Sequence, residues 1–233
     1  MQPISQNTKI IGVGNYGAQA VKHISANLYS EIEGFSGDDR VKFVMSDVKV
    51  SDFVTKALLN NTQLIIVVAD SEEGSDAVNS IASVAKKEKK TTVALIKGNA
   101  DNITSDCDCI VVAGDEREAK NVAECIMQPM YTESHIGADM NDISELLTNC
   151  GKANFKRFEG DMDSVMSELE AFSAFTGGKC IISSSIIDWE KYCDIDLIDK
   201  VAELADKDAT VFVTLSKGTH SVDAVTSILV AGY

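Results

Sequence analysis

Lys9-Ile10-Ile11-Gly12-Val13-Gly14-Asn15-Tyr16-Gly17-Ala18-Gln19-Ala20-Val21 decides how the rest of the chain is read. Ile10, Ile11 and Val13 belong to a buried strand. Behind them Ala18, Val21, Ile24 and Leu28 recur at helical spacing. Between strand and helix, Gly12, Gly14 and Gly17 let the backbone turn tightly and come close to a ligand, and the following helix points its free N–H groups at an anion. The pattern G-x-G-x-x-G therefore fits a turn that cradles phosphate. It also fits a purely structural turn whose glycines are there for steric reasons.

Working outward, strands alternate with helices through the first half. Residues 41–45 form a strand closing on Ser46-Asp47, and 51–59 a short helix. Leu64-Ile65-Ile66-Val67-Val68-Ala69 is a continuous apolar run, as in a parallel strand buried on both faces. A loop carrying Asp70, Glu72, Glu73, Gly74 and Asp76 comes next, then a helix over 77–87 and strands over 91–96 and 109–113. This order predicts a doubly wound α/β sheet, with ligands at the carboxyl ends of its strands. A longer helix over 116–130 connects to a second half of different rhythm. There, 142–152, 161–172 and 197–204 read as helices and 179–185, 210–216 and 222–230 as strands. The lysine run Lys86, Lys87, Lys89, Lys90 marks a solvated helix end.

Composition narrows the function. The 233 residues carry 36 acidic against 21 basic side chains, a formal charge of −15. Nucleic acid and anionic membrane surfaces would be repelled over most of such a molecule. Six cysteines form no C-x-x-C pair, and no histidine sits near them at zinc-ligand spacing, so no metal site is read. Cys107 and Cys109 should share one face of a strand-like run, as free buried thiols. The polar N-terminus is no signal peptide, and no apolar run is long enough to span a bilayer, which predicts a cytoplasmic protein.

In this order the stretches resemble the FtsZ/tubulin superfamily, specifically a bacterial FtsZ. Ile11-Gly12-Val13-Gly14-Asn15-Tyr16-Gly17-Ala18-Gln19-Ala20-Val21 is similar to the family's first nucleotide loop, I-G-V-G-G-x-G-x-N-A-V. Residues 41–47 resemble its second strand and the acidic residue after it, and 64–96 the strand, signature loop, helix and strand that follow. Glu118-Ala119-Lys120-Asn121-Val122-Ala123-Glu124 resembles the central-helix segment that contacts guanine. Ile136-Gly137-Ala138-Asp139-Met140-Asn141-Asp142-Ile143 resembles the synergy loop, I-N-x-D-F-A-D-V. Residues 195–205, 206–211 and 225–233 follow the C-terminal domain to its last strand.

The resemblance implies a Rossmann-like doubly wound parallel sheet domain (1–115), a central connecting helix (116–132) and a smaller α+β C-terminal domain (133–233). It implies GTP or GDP with Mg²⁺ as ligand, held by Gly12, Gly14, Asn15, Tyr16, Gly17, Asp47, Gly74, Ser75 and Glu124. It implies Asp139 and Asp142 as catalytic carboxylates that position water against the neighbouring subunit's γ-phosphate. The residues themselves allow another role for these two acids, capping the helix that begins there. Partners would be further copies of the chain, in an oligomer or filament, or another FtsZ-like protein. The chain stops where the family's globular core stops, so it is expected not to attach itself to a division site in the usual way.

Departures cluster at the phosphates. The family's G-G-G-T-G-T-G is replaced by Asp70-Ser71-Glu72-Glu73-Gly74-Ser75-Asp76. One glycine is left, and four carboxylates stand beside a triphosphate. One like-charge pair at about 4 Å costs roughly 4 kcal/mol at an effective dielectric of about 20. Micromolar binding is worth about 8 kcal/mol in all, so two uncompensated pairs would abolish it. Lys120 replaces the aromatic that would stack on the base, and Glu124 the aspartate that reads it. Three readings follow: a divergent FtsZ-like protein with weakened or lost GTP binding and hydrolysis, acting by self-association or as a cell-division-type partner; a working GTPase that polymerises with GTP; and a Rossmann-like NAD-type module, with Asp47 near the ribose.

Overall fold

Aliphatic runs become neighbouring strands of one sheet, and the amphipathic stretches between them pack on its faces. The computed structural model describes residues 8–31, 41–44, 59–60, 62–131, 134–172, 178–187, 194–205, 208–218 and 221–231. The first half contains β1 (Thr8–Val13), α1 (Gly14–Glu31), β2 (Val41–Val44), β3 (Leu64–Asp70), α2 (Ser71–Lys87), β4 (Thr91–Lys97) and β5 (Cys109–Val112). Then come α3 (Glu116–Tyr131), β6 (Ser134–Ile136), α4 (Met140–Leu147), β7 (Gly151–Gly160), α5 (Met162–Ala171), β8 (Lys179–Ile186), α6 (Asp194–Leu204), β9 (Thr210–Lys217) and β10 (Ala224–Ala231).

The ten strands run in the order β2-β1-β3-β4-β5-β7-β10-β8-β9-β6. Strands β1 to β5 pair in parallel throughout, as the alternation of strand and helix predicts. β7 then pairs parallel to β5 but antiparallel to β10, which makes it the join between the two halves.

Helices on both faces explain why β3 is apolar from Leu64 to Ala69. Leu64, Ile66 and Val68 face a core built with Val21 and Ile24 of α1, Val122 and Ile126 of α3, and Ile143 and Leu147 of α4. Ile65, Val67 and Ala69 face Val78, Ile81 and Ala85 of α2. Each large aliphatic side chain buried this way contributes about 1.5–3 kcal/mol. A third cluster, including Val165 and Leu169 of α5, Val201 of α6 and Ile182 and Ile228 of the sheet, holds the second half together.

Several expectations are corrected. The stretch read as an acidic loop is helix from Ser71 onward, with Asp70 as its cap. The helix expected over 142–152 ends at Leu147, and Lys152 already lies in β7. Neither β6 nor β7 was expected. Cys107 and Cys109 fall in clusters on opposite sides of the sheet, because Cys107 precedes β5 and does not share its pleat. The helix expected over 51–59 lies outside the described residues over 51–58, and Leu59 is in a turn. Among the described residues no helix is long and apolar enough to cross a membrane.

Candidate functional site

The carboxyl ends of β1, β3 and β4 bring together Gly12–Gly17, Asp70 and Lys97. The glycines do not form the separate turn expected before the helix, since β1 ends at Val13 and α1 begins at Gly14. The β1–α1 junction is first of all a packing device. A side chain at Gly12 would run into the Gly17 carbonyl, and one at Gly17 into the Val68 carbonyl of β3. Gly14 takes a φ of +71°, the left-handed conformation that glycine adopts freely. Asn15 is exposed, whereas Tyr16 is turned inward and is 6% exposed.

Tyr16 packs into the apolar core that α1 shares with α3. Its ring lies 5.1 Å under the Lys97 ammonium, and its hydroxyl is buried with no hydrogen-bond partner among the described residues. Burial first, and then the negative charges of Glu116, Asp115, Glu118 and Asp70, hold its phenol far above the usual tyrosine range. The phenol therefore stays protonated, yet among the described residues it has nothing to donate to.

At the next junction, Asp70 caps α2. Its Oδ1 accepts from Glu72 N at 3.0 Å, and its Oδ2 pairs with Lys97 Nζ at 3.5 Å. Register explains the pair, since Asp70 lies opposite Lys97 where β3 and β4 end. Glu72 and Glu73 fill the first helical turn, where the dipole favours acids. Ser75 Oγ donates back to Ser71 O at 2.6 Å. Gly74 is buried inside the helix, where a Cβ would come within 2.8 Å of Ala69 Cβ and 3.2 Å of Val13 Cγ1. Its lack of a side chain lets α2 lie against the sheet.

α3 begins at the same edge. Asp115 Oδ1 accepts from Glu118 N at 2.8 Å, and Glu118 Oε2 accepts from Gly114 N at 2.7 Å. Glu124, expected at the base, is 5% exposed and lies between two cations. Lys120 Nζ is 3.0 Å from its Oε1, and Arg157 Nη1 is 3.4 Å from its Oε2. Arg157 also pairs with Glu159 at 2.6 Å.

Asp139 and Asp142 are not brought to this edge. They start α4, after the 16 residues of α3 have run about 24 Å away from it. Asp139 Oδ1 accepts from Asn141 N (2.7 Å) and Asp142 N (2.9 Å), and Asp142 Oδ2 accepts from Asp139 N (3.0 Å). This reciprocal capping box engages both carboxylates. Asp47 lies outside the described residues. Lys97 and Arg157 were not expected. A lysine closing an apolar strand beside an acid that closes its neighbour would have revealed Lys97.

A mutant of FtsZ from M. jannaschii superposes with a TM-score of 0.78 at 13% identity, over 97% of this chain and 91% of that one. The chain has the FtsZ/tubulin fold. CetZ from Methanosaeta thermophila superposes at 0.62 with 13% identity, over 97% and 86% of the two chains. TubZ from Bacillus thuringiensis serovar israelensis, in a GTPγS-form protofilament, gives 0.60 with 11% identity, over 99% and 88%. No protein-family model and no curated protein matches the sequence.

Within this fold a guanine nucleotide with Mg²⁺ would have to sit over the β1–α1 and β3–α2 junctions. The residues present do not fit it. Asp70 caps the helix start, Glu72 and Glu73 fill the first helical turn behind it, and Asp115, Glu116 and Glu118 add negative charge nearby. Among the described residues no group of three or more potential ligands could hold a metal ion.

Proposed function

We propose that this chain is an FtsZ-like scaffold with weakened or lost GTP binding, acting through self-association or as a partner of another FtsZ-like filament protein. The observation that carries this reading is Asp70, whose carboxylate accepts a backbone amide at the start of α2. A phosphate on the same turn would have to displace the carboxylate and then face Glu72 and Glu73 beside it. Tyr16 adds to it, because burial and the acids around it keep its phenol protonated, a negative setting for a phosphate.

Self-association draws support from the folds it resembles, among them an FtsZ dimer and a TubZ protofilament. Calorimetric titration with GTP and GDP, with and without Mg²⁺, tests the first half. No heat of binding is expected up to millimolar nucleotide, and micromolar affinity would sink the reading. Light scattering in the absence of nucleotide tests the second half. Concentration-dependent growth of particles is expected, and a strictly monomeric profile at high concentration removes self-association.

A second reading, a working GTPase, draws on α1. Its first turn carries no acidic residue, so its amide end is compatible with phosphate. Under that reading Asp142→Ala abolishes turnover and leaves binding intact. Unchanged turnover would remove Asp142 from the chemistry.

A further inference from the structure

Cys109 opens β5, and Cys150 lies in the turn just before β7, so two thiols meet at the pairing that joins the halves of the sheet. Their sulfurs are 3.5 Å apart. Asp108 holds the turn in place. Its carbonyl accepts from Gly151 N at 2.8 Å, and its Oδ1 from Asn149 N at 3.3 Å. Asn149 (φ 55°) and Gly151 (φ 72°) are both left-handed, which bends the chain sharply around Cys150. Cys109 is wholly buried, and Cys150 is 8% exposed.

We propose that Cys109 and Cys150 are an oxidative modification site, a dithiol that peroxide converts into a reversible disulfide across the β5–β7 seam. Cys150 starts the reaction. The hydrogen bond between the two thiols lowers its pKa, and the Lys179 ammonium assists, against the opposing effects of burial and the Asp108 charge. Lys179 is fixed at this spot because its Nζ donates to Glu145 O at 2.8 Å and Thr148 O at 3.3 Å. The bond to Cys150 and burial hold Cys109 well above the ordinary thiol range.

The Cys150 thiolate attacks one oxygen of hydrogen peroxide and the O–O bond breaks. The hydroxide that leaves takes a proton to become water, and Cys150 becomes a sulfenic acid. The Cys109 thiol then gives up its proton, and its sulfur displaces the sulfenic hydroxyl as a second water. Two thiols and one peroxide become one disulfide and two waters, with two electrons passing from sulfur to oxygen. The sulfurs must close by roughly 1.5 Å to reach bonding distance.

Competing thiols are set apart. Cys107 donates to Thr92 O and Cys109 O from the other face of the sheet, and burial pushes its pKa up to about 12. Burial also pushes Cys125 to about 12. A thiol held that high stays protonated and is a poor nucleophile toward peroxide.

The test is to treat the full chain with hydrogen peroxide, alkylate the remaining thiols in denaturant, and map unreduced peptides by mass spectrometry. Two thiols should be lost with a mass decrease of about 2 Da. One new cross-link should join Cys109 to Cys150, and dithiothreitol should reverse it. In Cys109→Ala, oxidation should stop at a Cys150 sulfenic acid that dimedone traps. In Cys150→Ala, Cys109 should stay open to alkylation. A cross-link through Cys107, Cys125, Cys180 or Cys193 overturns the proposal. So does oxidation of Cys150 to sulfinic acid without a bridge, or an unchanged mass. Should either variant fail to fold, the map of the unmodified sequence decides alone.

Discussion

The β1–α1 and β3–α2 junctions lie side by side at one sheet edge, and each turns a buried strand into a helix. At the first, Gly12 and Gly17 pack backbone against backbone, and the helix start carries no acid. At the second, Asp70 caps the helix, with Glu72 and Glu73 in the turn behind it. The first keeps a shape that only glycine allows. The second has become a self-capped helix start. Glycines kept for packing therefore say less about a bound nucleotide than their motif suggests, because the scaffold needs them with or without a ligand.

Substitutions at four positions would break or sharpen that contrast. Gly17→Ala should be the most damaging, since its Cβ meets the Val68 carbonyl and neither backbone can give way. A loss of about 3 kcal/mol or more in urea unfolding is expected, and a loss below about 1 kcal/mol would show that the junction has slack. Gly74→Ala tests the second junction. Contact with Ala69 and Val13 is partly offset by alanine's helix propensity, leaving a net cost of about 1–2 kcal/mol. A stabilised protein would mean that α2 can lift off the sheet.

Asp70→Ala removes the cap and should cost about 1 kcal/mol, with Asp70→Asn nearly neutral because asparagine caps equally well. If both variants lose stability alike, the pairing with Lys97, and not the cap, is what matters. Tyr16→Phe goes the other way. Deleting a buried hydroxyl with no partner among the described residues should raise stability by up to about 1 kcal/mol, read as a higher urea midpoint. A drop would reveal a partner for that hydroxyl.

The central strands were legible because β3 is apolar from Leu64 to Ala69, a pattern that needs cover on both faces. β7 was not, and Arg157 shows why. With Ala153 and Phe155 it lies on the side facing α3, where it pairs with Glu124, so a charge interrupts the apolar alternation just where a strand would be recognised. The Asp70 cap was legible in principle. An aspartate followed by two glutamates, with Gly74, Val78, Ile81 and Ala85 at helical spacing behind them, spells a helix start. Set beside the glycine-rich loop of the FtsZ/tubulin resemblance, the same residues read as a loop short of glycines instead. For Asp139 and Asp142 the sequence posed both roles. Their capping box accounts for the two residue types without any chemistry.

The seam between the halves has a mechanical side. β5 meets β7 only through Cys109 with Gly151, Ile110 with Lys152 and Val111 with Ala153, whereas β7 pairs with β10 along its length from Ala153 to Gly160. Load applied along the sheet, as in a filament pulled at both ends, would concentrate on that short ladder. It is three pairs long against eight between β7 and β10, and the apolar core that runs past it from α1 to Ile181 and Leu229 carries the remainder. A covalent link between Cys109 and Cys150 would add a fourth tie to those three, so peroxide would stiffen the seam.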